Sequence, residues 1–360
     1  MLLINQEKTP HYRVPIYSYL SHYLSKRGYD LTVLSEGTQS GSAHNGEFKH
    51  HVAHLNFFSV ASAIFKSKAD VVIYWVRLRH LYLFPMLFLL KVLGKKAIYW
   101  GHGSDLLTTT AIKARRFANW LEYQISDALI LYSKHQLDKV DRRFHHKTFI
   151  ANNTLCFQNH HGEFAPQSET LARYNITTHK NIICVGRMQK RKRIDHLVKA
   201  HRSLKMENVG LIFVGPDSEN VLNDVSGPGI YKLGEVYGDQ ILDLLYAADV
   251  FCIPGAVGLS IVDAFYCGLP LVTEDGDASP EMMYLKEGVN GFVVPRGDIP
   301  ALAAKLDFLL SDGALREKFS AAAREEICTN GHIDRMSEGF LAALDHVSGR
   351  REVAFQPSAA

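Results

Sequence analysis

The chain has 360 residues, the length of about two average domains, and its 40 Lys and Arg nearly balance its 37 Asp and Glu. With 47% hydrophobic and 21% charged residues it has an ordinary globular composition, which excludes a disordered, collagen-like or coiled-coil chain. The net charge of only +3 gives no overall attraction to nucleic acid, and we expect no nucleic-acid partner.

The N-terminal segment predicts no export signal, because residues 1–5 (MLLIN) lack both a basic stretch and a long apolar run. Five scattered cysteines form no CxxC pair and no Cys/His cluster, so we expect free thiols in a reducing compartment and no metal site. The longest apolar run, residues 81–93, is too short to span a bilayer. We expect a cytoplasmic protein, with peripheral attachment to the inner face of the membrane as an alternative.

Short apolar runs alternate with amphipathic stretches in the first half of the chain. The apolar runs are typical of parallel strands buried on both faces, and they cover residues 31–34, 71–74, 96–100 and 128–131. Helical patterns cover residues 15–26 and 115–126. The run 81–93 lies between two of the strands, which favours a buried crossover helix over a helix on a membrane surface.

After a polar stretch at 158–178 the same alternation begins again. Strands are predicted at 181–185, 210–214, 250–253 and 271–273, and helices at 194–206, 240–248, 259–266 and 300–311. Two such series predict an α/β protein with two Rossmann-like, doubly wound domains facing across a cleft. We divide the chain into an N-terminal domain (1–160), a linker (161–178), a C-terminal domain (179–335), and a C-terminal helix and tail (336–360).

The charges are unevenly distributed between the two series. Residues 1–150 hold 20 Lys and Arg against 10 Asp and Glu, whereas residues 151–360 hold 20 against 27. This asymmetry indicates that the first domain faces an anionic partner: a membrane surface, a lipid-linked diphosphate or an acidic glycan. A basic face that only contacts solvent is the alternative.

The first chemical signal follows the strand at 181–185. Gly186 and Arg187 lead into a basic turn containing Lys192, after which a helix begins at Ile194. A strand that runs through glycine into a helix N-terminus is a common phosphate site, because the first amides and the helix dipole attract an anion. Two cations at the same edge can hold a diphosphate, although a solvated basic helix start would show the same residues.

A second signal lies at 254–263, where a glycine-rich loop enters another helix. Gly258 and Leu259 present backbone amides, and Asp263 one turn later can accept hydrogen bonds from sugar hydroxyls. Ser279-Pro280-Glu281 and a glycine-rich stretch at 288–298 follow. Asp275-Gly276-Asp277 has the spacing of a metal-binding DxD sequence, but we expect a surface turn there and no metal.

These strings resemble the nucleotide-sugar domain of the family 4 glycosyltransferases, which have the GT-B fold. The matching strings are YKLGEVYGDQILDLLYAADVFCIPG, VGRMQKRKRIDHLVKA, GLSIVDAFYCGLPLVTEDG and SPEMMYLKEGVNGFVVPRGD. In the first domain WGHGSD, which contains His102, resembles the HGxD sequence of the family, and FIANN at 149–153 resembles the segment before its linker.

The resemblance implies a retaining glycosyltransferase of cell-surface polysaccharide or lipopolysaccharide synthesis that needs no metal or other cofactor. Its donor would be a UDP- or GDP-sugar, and its acceptor a glycan or a lipid-linked molecule. The implied donor residues and roles are Gly186 in the phosphate turn, Arg187 and Lys192 at the diphosphate, Asp263 at the ribose, Glu281 near the donor, Gly258 and Leu259 as amide donors, and His102 near the transferred sugar. We add four basic acceptor candidates, Arg13, Lys113, Arg115 and Arg116.

The chain departs from the family at one position. The family pairs two glutamates, the first eight residues before the second, whereas Gly255 lies eight residues before Asp263 and residues 254–262 contain no carboxylate. Amides of the glycine-rich loop replace the missing carboxylate under the glycosyltransferase interpretation. An epimerase-like enzyme of the same fold and a non-catalytic nucleotide-sugar-binding protein are the alternatives.

Overall fold

A computed structural model describes residues 1–4, 8–38, 46–74, 82–102, 112–158, 160, 162–276 and 279–350; the side chains of 83 and 112–116 lie outside the described part. The chain forms two compact units. The first unit comprises Met1–Cys156 and Ile333–Ala360, and the second unit comprises Phe157–His332. The sequence does not indicate which unit the last helix joins, and the structure places it in the first.

The strands and helices alternate along most of the chain. The strands are β1 (Leu2–Ile4), β2 (Thr32–Ser35), β3 (Lys49–Val52), β4 (Val71–Tyr74), β5 (Lys96–Gly101), β6 (Ala128–Leu131), β7 (Thr148–Ile150), β8 (Lys180–Val185), β9 (Val209–Val214), β10 (Ile230–Gly234), β11 (Val250–Cys252), β12 (Leu271–Glu274) and β13 (Gly291–Val294). The helices are α1 (Arg13–Ser25), α2 (Phe57–Lys66), α3 (Leu83–Val92), α4 (Ile112–Ile125), α5 (Gln167–Arg173), α6 (Ile194–Arg202), α7 (Asp239–Ala247), α8 (Ser260–Tyr266), α9 (Ile299–Ser311), α10 (Gly313–Thr329) and α11 (Ile333–Ser348).

In the first unit the described strands form a parallel sheet in the order β3-β2-β1-β4-β5-β6-β7. Alternate residues of one strand face opposite sides, so Val71 and Ile73 of β4 pack with α1 and α11, whereas Val72 and Tyr74 pack with α2, α3 and α4. Because both faces are covered, β4 consists only of Val, Ile and Tyr, as its continuous apolar run predicts. At Gly339 of α11 a Cβ would overlap the carbonyl oxygen of Ile150, so glycine allows that helix to approach β7 closely.

In the second unit the described strands form a parallel sheet in the order β10-β9-β8-β11-β12-β13. The chain moves outward from β8 through β9 to β10, then returns to the other side of β8 as β11. Two loops that leave neighbouring strands in opposite directions open a crevice at the carboxyl edge, where doubly wound sheets bind ligands. The segments after β8 and β11 therefore occupy the expected binding position of this unit.

The predicted α/β architecture with two Rossmann-like parallel sheets is confirmed. The run 81–93 forms helix α3, whose Met86, Leu87 and Leu90 pack in the core between β4 and β5, so the crossover helix is the correct interpretation for the described residues 82–93. The five cysteines are free thiols, as predicted, and Cys328 is exposed. No helix in the described ranges has the length and apolarity needed to cross a bilayer.

Candidate functional site

The segment after β8 approaches its neighbours closely through two glycines. Gly186 has a φ of 120°, which favours glycine, and a Cβ added there would lie 3.3 Å from the Nζ atom of Lys192. A Cβ on Gly215, at the end of the adjacent β9, would overlap the carbonyl oxygen of Gly186. The predicted basic turn follows as a single 3-10 turn, Lys190–Lys192, and α6 begins at Ile194 as predicted.

The two predicted cations of this turn have different environments. Lys192 is only 4% exposed, and its Nζ atom donates a hydrogen bond to the carbonyl oxygen of Ala256 at 3.1 Å. Arg187 is exposed. A buried ammonium is held in one position and little screened by water, so Lys192 provides a fixed positive charge at the switch point between β8 and β11.

The glycine-rich loop after β11 is hydrogen-bonded directly to the basic turn. The amide of Gly255 donates to Lys192 O at 2.9 Å, and the amide of Ala256 donates to Arg191 O at 3.1 Å. A Cβ on Gly255 would overlap Arg191 O and lie 2.7 Å from the Cα atom of Lys192. The position eight residues before Asp263 therefore has no room for a glutamate side chain in this backbone arrangement. The shortened loop closes onto the basic turn.

The end of the loop, which leads into α8, has open space beside Gly258. Gly258 has a φ of 67°, and a Cβ there would meet no atom within 4 Å. Neither Gly258 nor Leu259 donates its amide hydrogen to another described residue. Asp263 lies in the first turn of α8, where burial raises the pKa of its carboxyl to about 7.

The remaining predicted donor residue, Glu281, is buried in the single turn Pro280–Tyr284. Asp275 accepts a hydrogen bond from the amide of Gly276 at 2.6 Å, as in a local turn, and Asp277 lies outside the described residues. Within the described ranges no group of three His, Cys, Asp or Glu side chains is arranged to hold a metal ion.

A buried carboxylate, which the sequence did not predict as a site residue, holds the residues that follow the basic turn. Glu274, at the end of β12, is fully buried; its carboxylate lies 2.6 Å from Arg193 Nη1 and 2.6 Å from His196 Nδ1. It also accepts a hydrogen bond from the amide of Gly297 at 3.0 Å. Arg193 has a φ of 53°, the left-handed region, and lies between the basic turn and α6. Glu274 thus connects the end of β12 to the segments that follow β8 and β13. In the sequence the only sign of this role is a charged residue at the end of an apolar strand.

In the first unit His102 directly follows β5. Its ring centroid lies 4.7 Å from that of Tyr132, and its Nδ1 atom lies 3.2 Å from Gln136 Nε2. Gln136 also accepts a hydrogen bond from the amide of Tyr132 at 3.0 Å, so one side chain orients both residues. The half-buried His102 is therefore held at the carboxyl edge of the sheet, where the sequence places it.

Arg13, an acceptor candidate, begins α1 at the same edge of the first sheet. Its guanidinium carbon lies 4.8 Å from the ring centroid of Trp100, and its Nη2 donates to Asn153 Oδ1 at 3.3 Å. Arg13 is buried among these groups, and its Nη1 has no hydrogen-bond partner among the residues that the structure describes. The other acceptor candidates, Lys113, Arg115 and Arg116, belong to α4, and their side chains lie outside the described part.

Comparison with known sequences identifies the family that the second unit resembles. Residues 167–326 match the sequence model of the family described as glycosyl transferases group 1. The sulfoquinovosyl transferase of Arabidopsis thaliana is 30% identical over 149 residues, which cover 40% of this chain and 29% of that protein. A phosphatidyl-myo-inositol mannosyltransferase of Mycobacterium leprae is 32% identical over 158 residues, covering 41% and 42%. The chain thus spans less than half the length of these curated relatives.

Comparison with solved structures addresses the fold of the whole chain. Anabaena HepE in complex with UDP-glucose has a TM-score of 0.76 at 15% identity, with 96% of this chain and 98% of that chain covered. An identity this low shows the fold alone. The chain therefore has the α/β GT-B fold, and its residues 167–326 are similar to the group 1 glycosyl transferases.

Proposed function

We propose that the protein is a retaining glycosyltransferase that moves a sugar from a nucleoside diphosphate to a glycan or lipid-linked acceptor, in cell-surface polysaccharide or lipopolysaccharide synthesis. The observation that carries the proposal is the buried ammonium of Lys192, held against the glycine-rich loop at the β8/β11 switch point. This site lies inside the segment that matches the group 1 glycosyl transferases. The UDP-glucose bound to the structural relative makes UDP-sugars the first donors to test, followed by GDP-sugars.

The proposed reaction breaks the bond between the sugar C1 and the diphosphate oxygen. The electron pair leaves with the nucleoside diphosphate, the acceptor hydroxyl oxygen bonds to C1 on the same face, and the hydroxyl proton passes to the departing phosphate oxygen. Negative charge grows on the diphosphate as the bond breaks, and a cation at that position lowers the barrier. Lys192 and the exposed Arg187 supply this charge in our assignment, so we expect no requirement for a metal ion.

The other donor roles follow from the groups that each residue presents. Gly186 lets the diphosphate approach the end of β8, and the amides of Gly258 and Leu259 donate hydrogen bonds to the sugar or the phosphate. The Asp263 carboxylate accepts hydrogen bonds from the ribose hydroxyls. We place Glu281 near the donor sugar.

We assign the acceptor to the first unit. His102, oriented by Gln136 and Tyr132, lies near the transferred sugar in this assignment. Arg13 supports the acceptor side of the same sheet edge, and the basic residues of α4 attract an anionic acceptor. The lipid acceptor in the name of the mycobacterial relative supports a lipid-linked acceptor here.

One experiment separates the proposed function from its alternatives. The purified protein is incubated with a panel of UDP- and GDP-sugars, with and without lipid-linked and glycan acceptors, and released nucleoside diphosphate is measured. Release that depends on an acceptor supports a transferase. Consumption of donor with no acceptor, and formation of an epimeric sugar, would indicate an epimerase-like enzyme. Donor binding with neither transfer nor hydrolysis would indicate a binding protein, which the glycine at position 255 specifically favours.

A pair of variants tests the site. Lys192→Met removes the buried charge but keeps a long apolar side chain, and we expect turnover to fall by about 100-fold or more. Lys190→Met is the matched control, because Lys190 is exposed on the same turn, and we expect its turnover to stay within about twofold of wild type. Equal activity of both variants, or loss of activity on chelation of divalent metals, would contradict the assignment of Lys192 as the charge that stabilises the leaving group.

A further inference from the structure

Arg193 joins the basic turn to α6 in a backbone conformation that favours glycine. It follows the 3-10 turn Lys190–Lys192 and precedes α6, with a φ of 53° and a ψ of 46°. A residue that has a Cβ atom disfavours this left-handed region by about tenfold, because the Cβ atom lies too close to the following carbonyl oxygen. An arginine at this position therefore needs contacts elsewhere that hold the conformation.

The side chain of Arg193 is held by the carboxylate of Glu274. Its Nη1 atom lies 2.6 Å from Glu274 Oε2, and the side chains of Arg193 and Glu274 are 14% and 0% exposed. The same carboxylate accepts a hydrogen bond from the amide of Gly297 and lies 2.6 Å from His196 Nδ1. Because the carboxylate is itself fixed by three partners, it holds the guanidinium of Arg193 in one position.

Glu274 also contacts the glycine-rich loop through its backbone. Its amide donates a hydrogen bond to the carbonyl oxygen of Pro254 at 3.1 Å, and the amide of Gly255, the next residue, donates to Lys192 O at 2.9 Å. Lys192 precedes Arg193 in the chain, and the guanidinium of Arg193 returns to Glu274. These five residues form a closed ring of contacts, so the backbone at Lys192 shifts only if a contact of the ring breaks.

We propose that Glu274 is a positioning residue of the donor site, which acts through Arg193 to fix the ammonium of Lys192 where the diphosphate binds. The inference rests on the proposed function, because it takes Lys192 as the cation that contacts the donor. Removal of the negative charge of Glu274 leaves the guanidinium without its counter-charge, and an uncompensated guanidinium moves toward water. Arg193 then leaves the left-handed region, the ring of contacts opens, and the ammonium of Lys192 loses its fixed position.

Nucleotide binding measures this effect without any sugar or acceptor. Calorimetric titration with UDP, or with GDP where GDP binds the wild type more tightly, is compared among variants at a temperature at which all of them are folded. We expect Lys192→Met to weaken binding by about 30-fold and Glu274→Gln by about tenfold, since hydrogen bonds to charged groups make contributions of this size. In the Lys192→Met background, Glu274→Gln should change the affinity by less than about twofold, because the ammonium on which it acts is absent. A residue that only stabilises the unit would weaken binding in both backgrounds.

A second pair of variants tests the route through Arg193. Both Arg193→Gly and Arg193→Ala remove the guanidinium, but only glycine adopts the left-handed conformation without a steric penalty. We expect Arg193→Gly to bind the nucleotide within about threefold of wild type, and Arg193→Ala to bind about tenfold more weakly than Arg193→Gly. If Glu274→Gln does not fold, this pair decides the question alone.

Glu219→Gln is the matched control, because the exposed carboxylate of Glu219 accepts a hydrogen bond from the amide of Lys190 on the same turn, and we expect its affinity to stay within about twofold of wild type. Equal weakening by Glu274→Gln in wild type and in Lys192→Met, or equal affinities of Arg193→Gly and Arg193→Ala, would overturn the proposal. A wild type that binds the nucleotide but transfers no sugar would contradict the proposed function alone. A wild type that binds neither UDP nor GDP would contradict both.

Discussion

The contact between the glycine-rich loop and the basic turn makes Gly255→Ala a sharp test of the site. A Cβ at this position would overlap Arg191 O and lie 2.7 Å from Lys192 Cα, and both neighbours are backbone. Backbone cannot move aside like the end of a flexible side chain, so the loop must separate from the turn. The separation breaks the hydrogen bonds from Gly255 and Ala256 to the turn and displaces the carbonyl that Lys192 contacts.

The expected cost follows from these contacts. Overpacking costs about 1–3 kcal/mol, and each of the two backbone hydrogen bonds contributes about 1 kcal/mol, so we expect a loss of about 3 kcal/mol in the free energy of unfolding. For a unit of this size that loss lowers the melting temperature by about 6–12 °C. We also expect weaker UDP binding, because the Nζ atom of Lys192 loses its fixed position.

The matched control is Gly313→Ala at the first residue of α10. A Cβ there would meet no atom within 4 Å, and alanine restricts the unfolded chain, so this variant should be unchanged or more stable by about 0.4–1 kcal/mol. Thermal unfolding and calorimetric UDP titration measure both properties. Wild-type stability of Gly255→Ala would refute the contact argument. A lowered melting temperature with wild-type UDP affinity would show that the contact stabilises the unit but does not shape the donor site.

Two further predictions concern the carboxyl groups of Glu274 and Asp263 in the second unit. Glu274→Gln leaves the half-buried Arg193 without its counter-charge, so we expect the free energy of unfolding in urea to fall by about 3 kcal/mol. The control Glu219→Gln changes an exposed carboxylate and should lower it by less than about 1 kcal/mol. Equal losses would contradict the role of the Glu274–Arg193 pair. The pKa of Asp263 is about 7 in the folded protein and about 4 in the unfolded chain, so the folded state holds this proton more tightly. The free energy of unfolding of wild type, relative to that of Asp263→Asn, should therefore fall as the pH rises from about 4 to 7 and stay level above pH 7. Urea midpoints of both proteins at several pH values measure this difference, and a difference independent of pH would show that burial does not control the carboxyl. UDP affinity should rise more in wild type than in Asp263→Asn as the pH rises through about 7, since the carboxylate that ionises there accepts ribose hydroxyl hydrogen bonds.

The sequence by itself identified most of the strands. Strands β4, β6 and β9 are buried on both faces, so they appear as uninterrupted apolar runs bounded by polar loops. It also located the basic turn and the start of α6, because glycine, clustered cations and a new helical period mark that boundary locally. Strand β3 (Lys49–Val52) was missed, since this exposed edge strand carries polar residues with no apolar run.

The tertiary structure alone decided which distant residues meet. Gly255 lies against Lys192 because β8 and β11 are neighbours at the point where strand order reverses, and no local pattern in the sequence encodes that adjacency. Glu274 is buried because the loops after β8 and β13 bring Arg193 and Gly297 to it. A charged residue at a strand end looks solvent-exposed until those partners are placed.

In helix α3 the sequence predicted the helix itself, whereas the tertiary structure decided which of its sides is buried. Its apolar sequence predicted a helix between two strands, and that prediction is confirmed for the described residues. A helix that is apolar on all sides has no periodicity to distinguish its inner face from its outer face. The packing of Met86 and Leu90 on the sheet, with Phe88 directed outward, follows only from the positions of the sheet and the neighbouring helices, because these determine which side of the helix is removed from water.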